Sequence, residues 1–186
     1  MSLIFKTVDS SQISISELMQ PSHSNFNGKI HGGYILNLMD QIAFACASKH
    51  SENYCVTASV NTVDFLNPIE IGELVTMKAS INYVGKTSMV VGIHVEAENI
   101  RTGKIKHCNS SYFTMVAKDD NGNSISVPGL ILSDENEVKR FLKTIKRIET
   151  KKERQIEFDN ANFSIEDYLS DLKPYNIKIQ LPNDDS

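Results

Sequence analysis

The residues of this chain best suited to chemistry lie between Asn25 and Asp40. Asn25 lies in a loop rich in asparagine and glycine, and Gly32 and Gly33 lead from that loop into a strongly apolar segment that contains Asp40. Glycines at a helix start leave its first N–H groups accessible, and these groups can polarise a carbonyl. A carboxylate on the same helix can act as a base or a nucleophile, and the Asn25 amide can orient water. The stretch is therefore a candidate catalytic site for a carbonyl substrate.

The same stretch also fits a purely structural interpretation. Two glycines before a helix often form only a turn. With about 100° of rotation per residue, Asn37, Gln41 and Ser48 form a narrow polar stripe on the helix, and Asp40 lies at the edge of that stripe. The local pattern alone leaves both interpretations open.

The bulk composition predicts one domain with an appendage. The chain has 186 residues, of which 40% are hydrophobic and 23% are charged, so it can bury a core. Its net charge of −4 argues against a dedicated nucleic-acid-binding protein. No apolar run is long enough to span a membrane, and residues 1–7 do not resemble a secretory signal, so we expect a cytoplasmic protein with no membrane partner.

The cysteines and histidines give no sign of a metal site. Cys46, Cys55 and Cys108 are widely spaced and form neither a metal-binding pattern nor an even disulfide set. Each lies in an apolar segment, which predicts a buried free thiol in a reducing compartment rather than a nucleophile. The histidines lack ligand spacing as well, so we expect no metal and no other cofactor.

One long helix and four long strands must position the candidate site. The apolar segment 33–49 is predicted to be a helix that is apolar over most of its circumference. Alternation with a period of two then predicts strands over residues 54–66, 73–84, 87–98 and 105–118. An economical α+β fold wraps the antiparallel sheet around the helix and buries the helix on the concave face. An open strand edge or an exposed helix side favours a dimer.

The composition changes after residue 128. Residues 133–154 are predicted to form a helix with one apolar face, made by Val138, Phe141, Leu142, Ile145 and Ile148. The last seventeen residues of that segment contain eight lysines and arginines and two glutamates. This basic run is either a solvated helix face or a wall near a polyphosphate ligand or an acidic neighbour. We predict a domain over residues 1–130 and a charged, partly helical extension over 131–186.

Seven short motifs occur along roughly residues 13–130. They are Met19-Gln20-Pro21, Asn25-x-Asn27-Gly28-x-x-His31-Gly32-Gly33, Met39-Asp40, Val56-Thr57-Ala58-Ser59, Phe65-Leu66-Asn67-Pro68-Ile69-x-x-Gly72-Glu73, Val84-Gly85-Lys86-Thr87-Ser88-Met89, and Phe113-Thr114-Met115-Val116-Ala117 with Val127-Pro128. In this order and spacing they resemble the acyl-CoA thioester hydrolases of the hotdog superfamily, specifically the small bacterial type related to brain acyl-CoA hydrolase.

The resemblance implies a hotdog fold, in which the antiparallel sheet wraps around a long central helix, and a homodimer, often with three dimers forming a hexamer. It implies that acyl-CoA is the substrate and is hydrolysed to free fatty acid and coenzyme A. By motif position, the catalytic residues are Asn25 and Asp40, contributed across the dimer interface, and the thioester carbonyl meets amides near Gly32 and Gly33. Asp40 would activate water or attack directly to form an anhydride, and both routes stay open.

Coenzyme A must also be held. The turn formed by Gly85, Lys86, Thr87 and Ser88 combines a glycine, a cation and two hydroxyls, which suits the phosphates of coenzyme A but also an ordinary hairpin. Thr57 and Ser59 are candidates to line the pantetheine path, although both residues also simply favour a strand. His31 and Asn27-Gly28 are assigned to the shape of the loop.

Two other function classes stay open. A non-catalytic acyl-CoA or nucleotide-binding regulator on the same fold would not need an intact pair of Asn25 and Asp40. A hotdog hydratase that acts on enoyl thioesters would pair an acid with a histidine at a different spacing, which this sequence does not contain. Pocket depth, which sets the acyl chain length, is not encoded in any of these motifs.

Overall fold

The computed structural model describes residues 4–164 and 168–180, and its centre is a curled antiparallel sheet with one long helix on the concave face. In chain order the helices and strands are β1 (Phe5–Thr7), β2 (Ile13–Leu18), a 3-10 turn (Pro21–His23), α1 (Gly32–Ser51), β3 (Tyr54–Val60), β4 (Glu73–Val84), β5 (Ser88–Asn99), β6 (Lys104–Lys118), β7 (Gly129–Ile131) and α2 (Glu135–Asn160).

The main sheet has five strands in the order β2-β4-β5-β6-β3. All its neighbours pair antiparallel, and the register places Met77 opposite Val95 and Val95 opposite Asn109. Because side chains alternate along a strand, one face of β4 and β5 points to α1, and its apolar residues are buried: Val75, Met77, Ala79, Ile81, Val91, Ile93, Val95 and Ala97. The predicted hotdog arrangement of a sheet wrapped around a helix is confirmed. β1 and β7 form a separate, parallel pair.

One side of α1 stays outside the core. Ile35, Met39, Ile42 and Cys46 are at most 2% exposed, so the inner face of the helix is tightly packed. Asp40, Gln41 and Phe44 are exposed on the opposite side, together with Asn37. The sequence analysis predicted a helix enclosed over most of its circumference, whereas the structure leaves an open stripe beside β3.

The strand bounds follow the alternation closely, with one exception. β3 ends at Val60, although the pattern predicted a strand through residue 66. A bulge between Thr57 and Ser59 shifts the register against β6, and the chain beyond Val60 then contacts β6 through isolated bonds, from Asn61 N to Tyr112 O and from Leu66 N to Cys108 O. Composition cannot distinguish this segment from a strand, because its apolar residues still alternate.

The chain divides into two compact units, Met1–Lys146 and Arg147–Ser186. α2 begins in the first unit and ends in the second, so the predicted boundary at residue 130 remains a prediction. A short helix predicted around residues 164–172 falls partly on residues outside the described part of the chain.

Within the first unit, α2 does not bury the apolar stripe that the sequence predicted. Glu137 and Thr144 are buried, whereas Val138 and Leu142 are exposed. Phe141 and Ile145 of the predicted stripe are half-buried, and the Phe141 ring lies 5.3 Å from the ring of Tyr83. The buried polar groups are compensated, because Ser133 N donates to the Glu137 carboxylate and the Thr144 hydroxyl donates to the Arg140 carbonyl. Among the described helices, none is long and apolar enough to cross a membrane.

Candidate active site

The start of α1 is shaped by a histidine and a phenylalanine. The His31 Nδ1 atom accepts a hydrogen bond of 2.9 Å from Gly33 N, so His31 is the N-cap residue of the helix. The Phe65 ring lies against Gly32, where a Cβ atom would come within 3.2 Å of it. The sequence analysis predicted that the amides near Gly32 and Gly33 would both be available to a substrate carbonyl. His31 occupies the Gly33 amide, so Gly32 N, which as the first helical residue has no intrahelical acceptor, is the remaining donor.

The Asn25 side chain is held in one orientation by its own loop. Its Oδ1 atom accepts hydrogen bonds from Asn27 N at 2.9 Å and Lys29 N at 3.1 Å. Two backbone donors identify this atom as the oxygen, so the Nδ2 end of the amide is the end available as a donor. Gly28 adopts a positive φ of 72°, which completes the turn. Asn27 and Gly28 therefore form the predicted turn, and they hold Asn25 in place.

A stack of two rings fixes this loop to α1. The rings of His23 and Tyr34 lie 4.0 Å apart and nearly parallel, and the His23 carbonyl accepts from His31 N. The Tyr34 hydroxyl donates to the Glu17 carboxylate on β2. That hydrogen bond, together with burial and the charge of Glu17, raises the pKa of Tyr34 above its usual value. Sequence reasoning missed both rings, because no spacing rule relates a loop histidine to a tyrosine one helical turn beyond the cap.

Asp40 lies on the exposed side of α1, opposite β3. Its Oδ1 atom accepts a hydrogen bond of 2.6 Å from the Thr57 hydroxyl. The two residues face a cleft of about 520 Å³, which we call the edge cleft. Its lining residues are Asp40, Gln41, Phe44, Tyr54, Cys55, Val56 and Thr57. The structure therefore brings Thr57 to the proposed acid, a contact that the sequence analysis did not foresee when it assigned Thr57 to the pantetheine path.

The edge cleft contains only part of the predicted site. Asn25 and the residues of the β4–β5 turn do not line it, and β3 is the last strand of the sheet, paired on one side with β6. The surface around it is apolar, because Phe44 is 39% exposed and Tyr54 is 63% exposed. Within the described residues, one chain thus supplies Asp40 and Thr57 to this cleft without the predicted asparagine.

The turn between β4 and β5 directs its backbone carbonyls inward. Gly85 N donates to Ser88 O at 2.7 Å, the Thr87 carbonyl accepts from Ala117 N, and the Lys86 carbonyl accepts from Val127 N. A Cβ atom on Gly85 would come within 3.1 Å of the Ser88 hydroxyl. Lys86 is exposed. The turn is rigid, and its cation faces solvent.

The cysteines and the metal-ligating side chains of the described residues do not form a thiol or metal site. Cys46, Cys55 and Cys108 are buried free thiols. Burial raises the pKa of Cys46 to about 12, and the nearby Lys49 only partly opposes this effect, so the nucleophilic thiolate is not populated at neutral pH. In the described part of the chain, no three His, Cys, Asp or Glu side chains lie close enough together to hold a metal ion.

A curled antiparallel sheet around one long helix is the hotdog fold, and Asp40 lies at the open edge of that sheet. The family model described as the Thioesterase superfamily matches residues 27–104. Protein VdlD of Helicobacter pylori is 44% identical over 143 residues, which are 77% of this chain and 82% of that protein. The Bacillus subtilis protein named uncharacterized acyl-CoA thioester hydrolase YkhA is 32% identical over 135 residues, which are 73% of this chain and 78% of that protein. The chain belongs to the thioesterase superfamily.

Solved structures give the same result. The acyl-CoA hydrolase of Staphylococcus aureus, in complex with butyryl coenzyme A, coenzyme A and coenzyme A disulfide, is 31% identical with a TM-score of 0.77, covering 89% of this chain and 99% of that one. A hexameric acyl-CoA thioesterase in its apo form is 31% identical with a TM-score of 0.80, covering 82% of this chain and 98% of that one. Variants of the S. aureus enzyme with one aspartate, asparagine or threonine changed to alanine have also been solved, and their TM-scores lie between 0.76 and 0.79.

Proposed function

We propose that this protein hydrolyses acyl-CoA to a free fatty acid and coenzyme A, and that Asp40 and Asn25 carry the reaction. The observation on which this rests is the Asp40 carboxylate, held by Thr57 at an open sheet edge. The three residues replaced in the S. aureus variants lie at successive intervals of 15 and 17 residues. Asn25, Asp40 and Thr57 occur at the same two intervals and in the same order in this chain.

The geometry supports a division of labour among these groups. The Gly32 amide and the Asn25 Nδ2 group are donors that can stabilise negative charge on the thioester oxygen. Asp40 either removes a proton from water or attacks the carbonyl to form an anhydride that water then hydrolyses. In both routes the thiolate of coenzyme A leaves. Thr57 is a positioning residue, because its hydroxyl holds the carboxylate in one rotamer and does not need to touch the substrate.

A second copy of the chain supplies the missing half of the edge cleft in this proposal. Among the described strands β3 is at the edge of the sheet, and the exposed rings of Phe44 on α1 and Tyr54 on β3 lie there, which suits a pairing surface. Joining two chains along β3 would extend the sheet and bring Asn25 of one chain towards Asp40 of the other. We further propose that three such dimers form a hexamer, as in the similar hexameric thioesterase.

The β4–β5 turn is the proposed contact for the phosphates of coenzyme A. Lys86 is exposed on a rigid turn that also contains the hydroxyls of Thr87 and Ser88, and a flexible ammonium group is well suited to a phosphate. Ser59, two residues beyond Thr57 on β3, would line the pantetheine path. The proposed location is the cytoplasm.

The test is release of free thiol from acyl-CoA, measured with a chromogenic thiol reagent across acyl chains from acetyl to palmitoyl. We expect turnover on at least one chain length and no hydration of crotonyl-CoA at its absorbance band. Hydration without thiol release would make the protein a hydratase. Saturable binding of acyl-CoA without either reaction would make it a regulator.

A further inference from the structure

A second cleft lies on the convex face of the sheet, on the side opposite α1. It has a volume of about 390 Å³, and we call it the convex cleft. Strands β4, β5 and β6 form its floor and α2 contributes Arg140, with Lys78, Ser80, Asn82, His94 and Tyr112 among its lining residues. Met77 and Ala79 on β4 point to α1, so the alternating Lys78 and Ser80 point away from it. The convex cleft and the edge cleft share no lining residue.

The convex cleft is basic in an acidic protein. Lys78, His94 and Arg140 line it, and none of its described lining residues is an aspartate or a glutamate, although the chain has a net charge of −4. Glu96, just outside, pairs with Lys78 at 2.9 Å and His94 at 3.0 Å. The Arg140 guanidinium has no ion pair in the described part of the chain, so a positive charge remains uncompensated there.

A nearly buried amide provides a second, independent sign of a ligand. Asn82 is only 7% exposed, and its Oδ1 atom accepts a hydrogen bond from the Ser80 hydroxyl. The Nδ2 end is therefore the donor, and it has no acceptor among the described residues. Gly92 makes this position possible, because a Cβ atom there would lie 2.1 Å from Asn82 Nδ2. Asn82 lines the cleft, so a ligand or a water molecule in the cleft can satisfy this donor.

We propose that the convex cleft binds a small phosphate-bearing anion between Arg140 and Asn82. A guanidinium group binds two phosphate oxygens at once, and the Asn82 amide supplies a fixed donor from the floor of the cleft. All of these groups belong to one chain, so the site is complete without a partner and does not depend on the proposed hydrolysis.

Inorganic pyrophosphate is a suitable probe, used in isothermal titration calorimetry on the full chain at low ionic strength. We expect saturable binding with one site per chain. Arg140→Gln should weaken it at least tenfold, and Asn82→Ala should weaken it measurably while circular dichroism stays unchanged. Lys143→Gln, which removes the same charge from the same helix one turn further on, should leave the affinity within a factor of two.

Four results would overturn the proposal. The first is the lack of saturable binding up to roughly 1 mM pyrophosphate, the weak end of specific affinity. The second is an equal loss in Arg140→Gln and Lys143→Gln, which would indicate only general screening of charge. The third is a loss in Lys86→Gln with none in Arg140→Gln, which would place the probe at the β4–β5 turn. A lower assembly mass in Arg140→Gln by light scattering, with no pyrophosphate dependence, would assign the cleft to a second copy instead.

Discussion

The edge cleft and the convex cleft differ in how much of a site one chain can build. The convex cleft lies over three adjacent strands of the same sheet, so one chain brings its donor groups together without a partner chain. The edge cleft lies where the sheet stops, and it contains Asp40 and Thr57 but not Asn25. A site at the unpaired edge of a sheet can gain further residues from a second chain that pairs with that edge. Under the proposed function, this contrast accounts for the absence of Asn25 from the edge cleft of a single chain.

The largest effect is expected from Asp40→Asn. An amide can neither take a proton from water nor attack the thioester, so turnover should fall by about 10²–10⁴. The fold should persist, because Asp40 is exposed. Thiol release measures the loss, and Asp9→Asn, the same change at an exposed site far from the cleft in sequence, is the matched control. Activity within a factor of three of the parent would remove Asp40 from the mechanism.

Thr57→Val tests whether the edge cleft depends on the hydrogen bond from the Thr57 hydroxyl to Asp40. Valine keeps the shape and the strand preference of threonine but loses the hydroxyl. The turnover number should therefore fall roughly tenfold, which is the lower end of the loss expected when a hydrogen bond to a charged group is removed. The Michaelis constant should change little. Thr57→Ser should restore most of the rate. If serine does not rescue the activity, the role of Thr57 is packing.

Lys86→Glu addresses substrate binding rather than chemistry. Reversing the charge of the turn should raise the Michaelis constant for acyl-CoA by roughly tenfold, because a charge-assisted contact becomes a repulsion. A short thioester without the nucleotide should be unaffected. Lys104→Glu, a charge reversal at the start of β6 opposite Asn99, is the control. Equal effects on both substrates would mean that the turn is only structural.

The smallest effect concerns stability away from both clefts. Burial lowers the pKa of His50, the hydrogen bond to the Pro128 carbonyl opposes this effect in part, and the charge of Lys6 lowers the pKa further. A lowered pKa in the folded state means that the unfolded chain binds more protons. The free energy of unfolding should therefore be constant above the unfolded value of about 6.5 and decline as the pH falls towards the folded value.

Urea unfolding at several pH values and a fixed chain concentration measures this decline. His50→Gln should flatten it, because glutamine can still donate to Pro128 but does not titrate. A decline of the same size in His50→Gln would assign the pH dependence to other groups.

Much of the fold could be predicted because its patterns are periodic. The alternation predicted the first and last residues of β4 and β5 to within one residue. The apolar run predicted the bounds of α1 to within two residues. Periodicity also misled: Val63 and Phe65 still alternate with polar residues, although in the opposite phase to Val60, after the ladder of β3 with β6 has ended. The stripe on α2 was assigned correctly to one side of a helix, but the helix packs through Phe141 and Thr144 while Leu142 stays exposed.

The candidate site was less predictable, because its contacts join distant parts of the chain. Motif positions indicated Asn25 and Asp40, but the hydrogen bond from Thr57 depends on how β3 lies beside α1. The capping of Gly33 by His31 depends on a side-chain rotamer, which no sequence pattern encodes. The basic run that contains Arg140 allowed for a polyphosphate ligand, but no pattern linked it to Asn82, which is 58 residues away and joins Arg140 only in the folded chain.

The central claim is that Asn25 of one chain acts with Asp40 of another, and a mixed dimer tests it most directly. Chains with Asn25→Ala and chains with Asp40→Asn carry different affinity tags, and the heterodimer is purified through both. Each parent homodimer should be nearly inactive. The heterodimer should regain about half of the wild-type rate, because one of its two shared sites contains both intact residues. A purified heterodimer no more active than its parents would place Asn25 and Asp40 in the same chain and contradict the shared site.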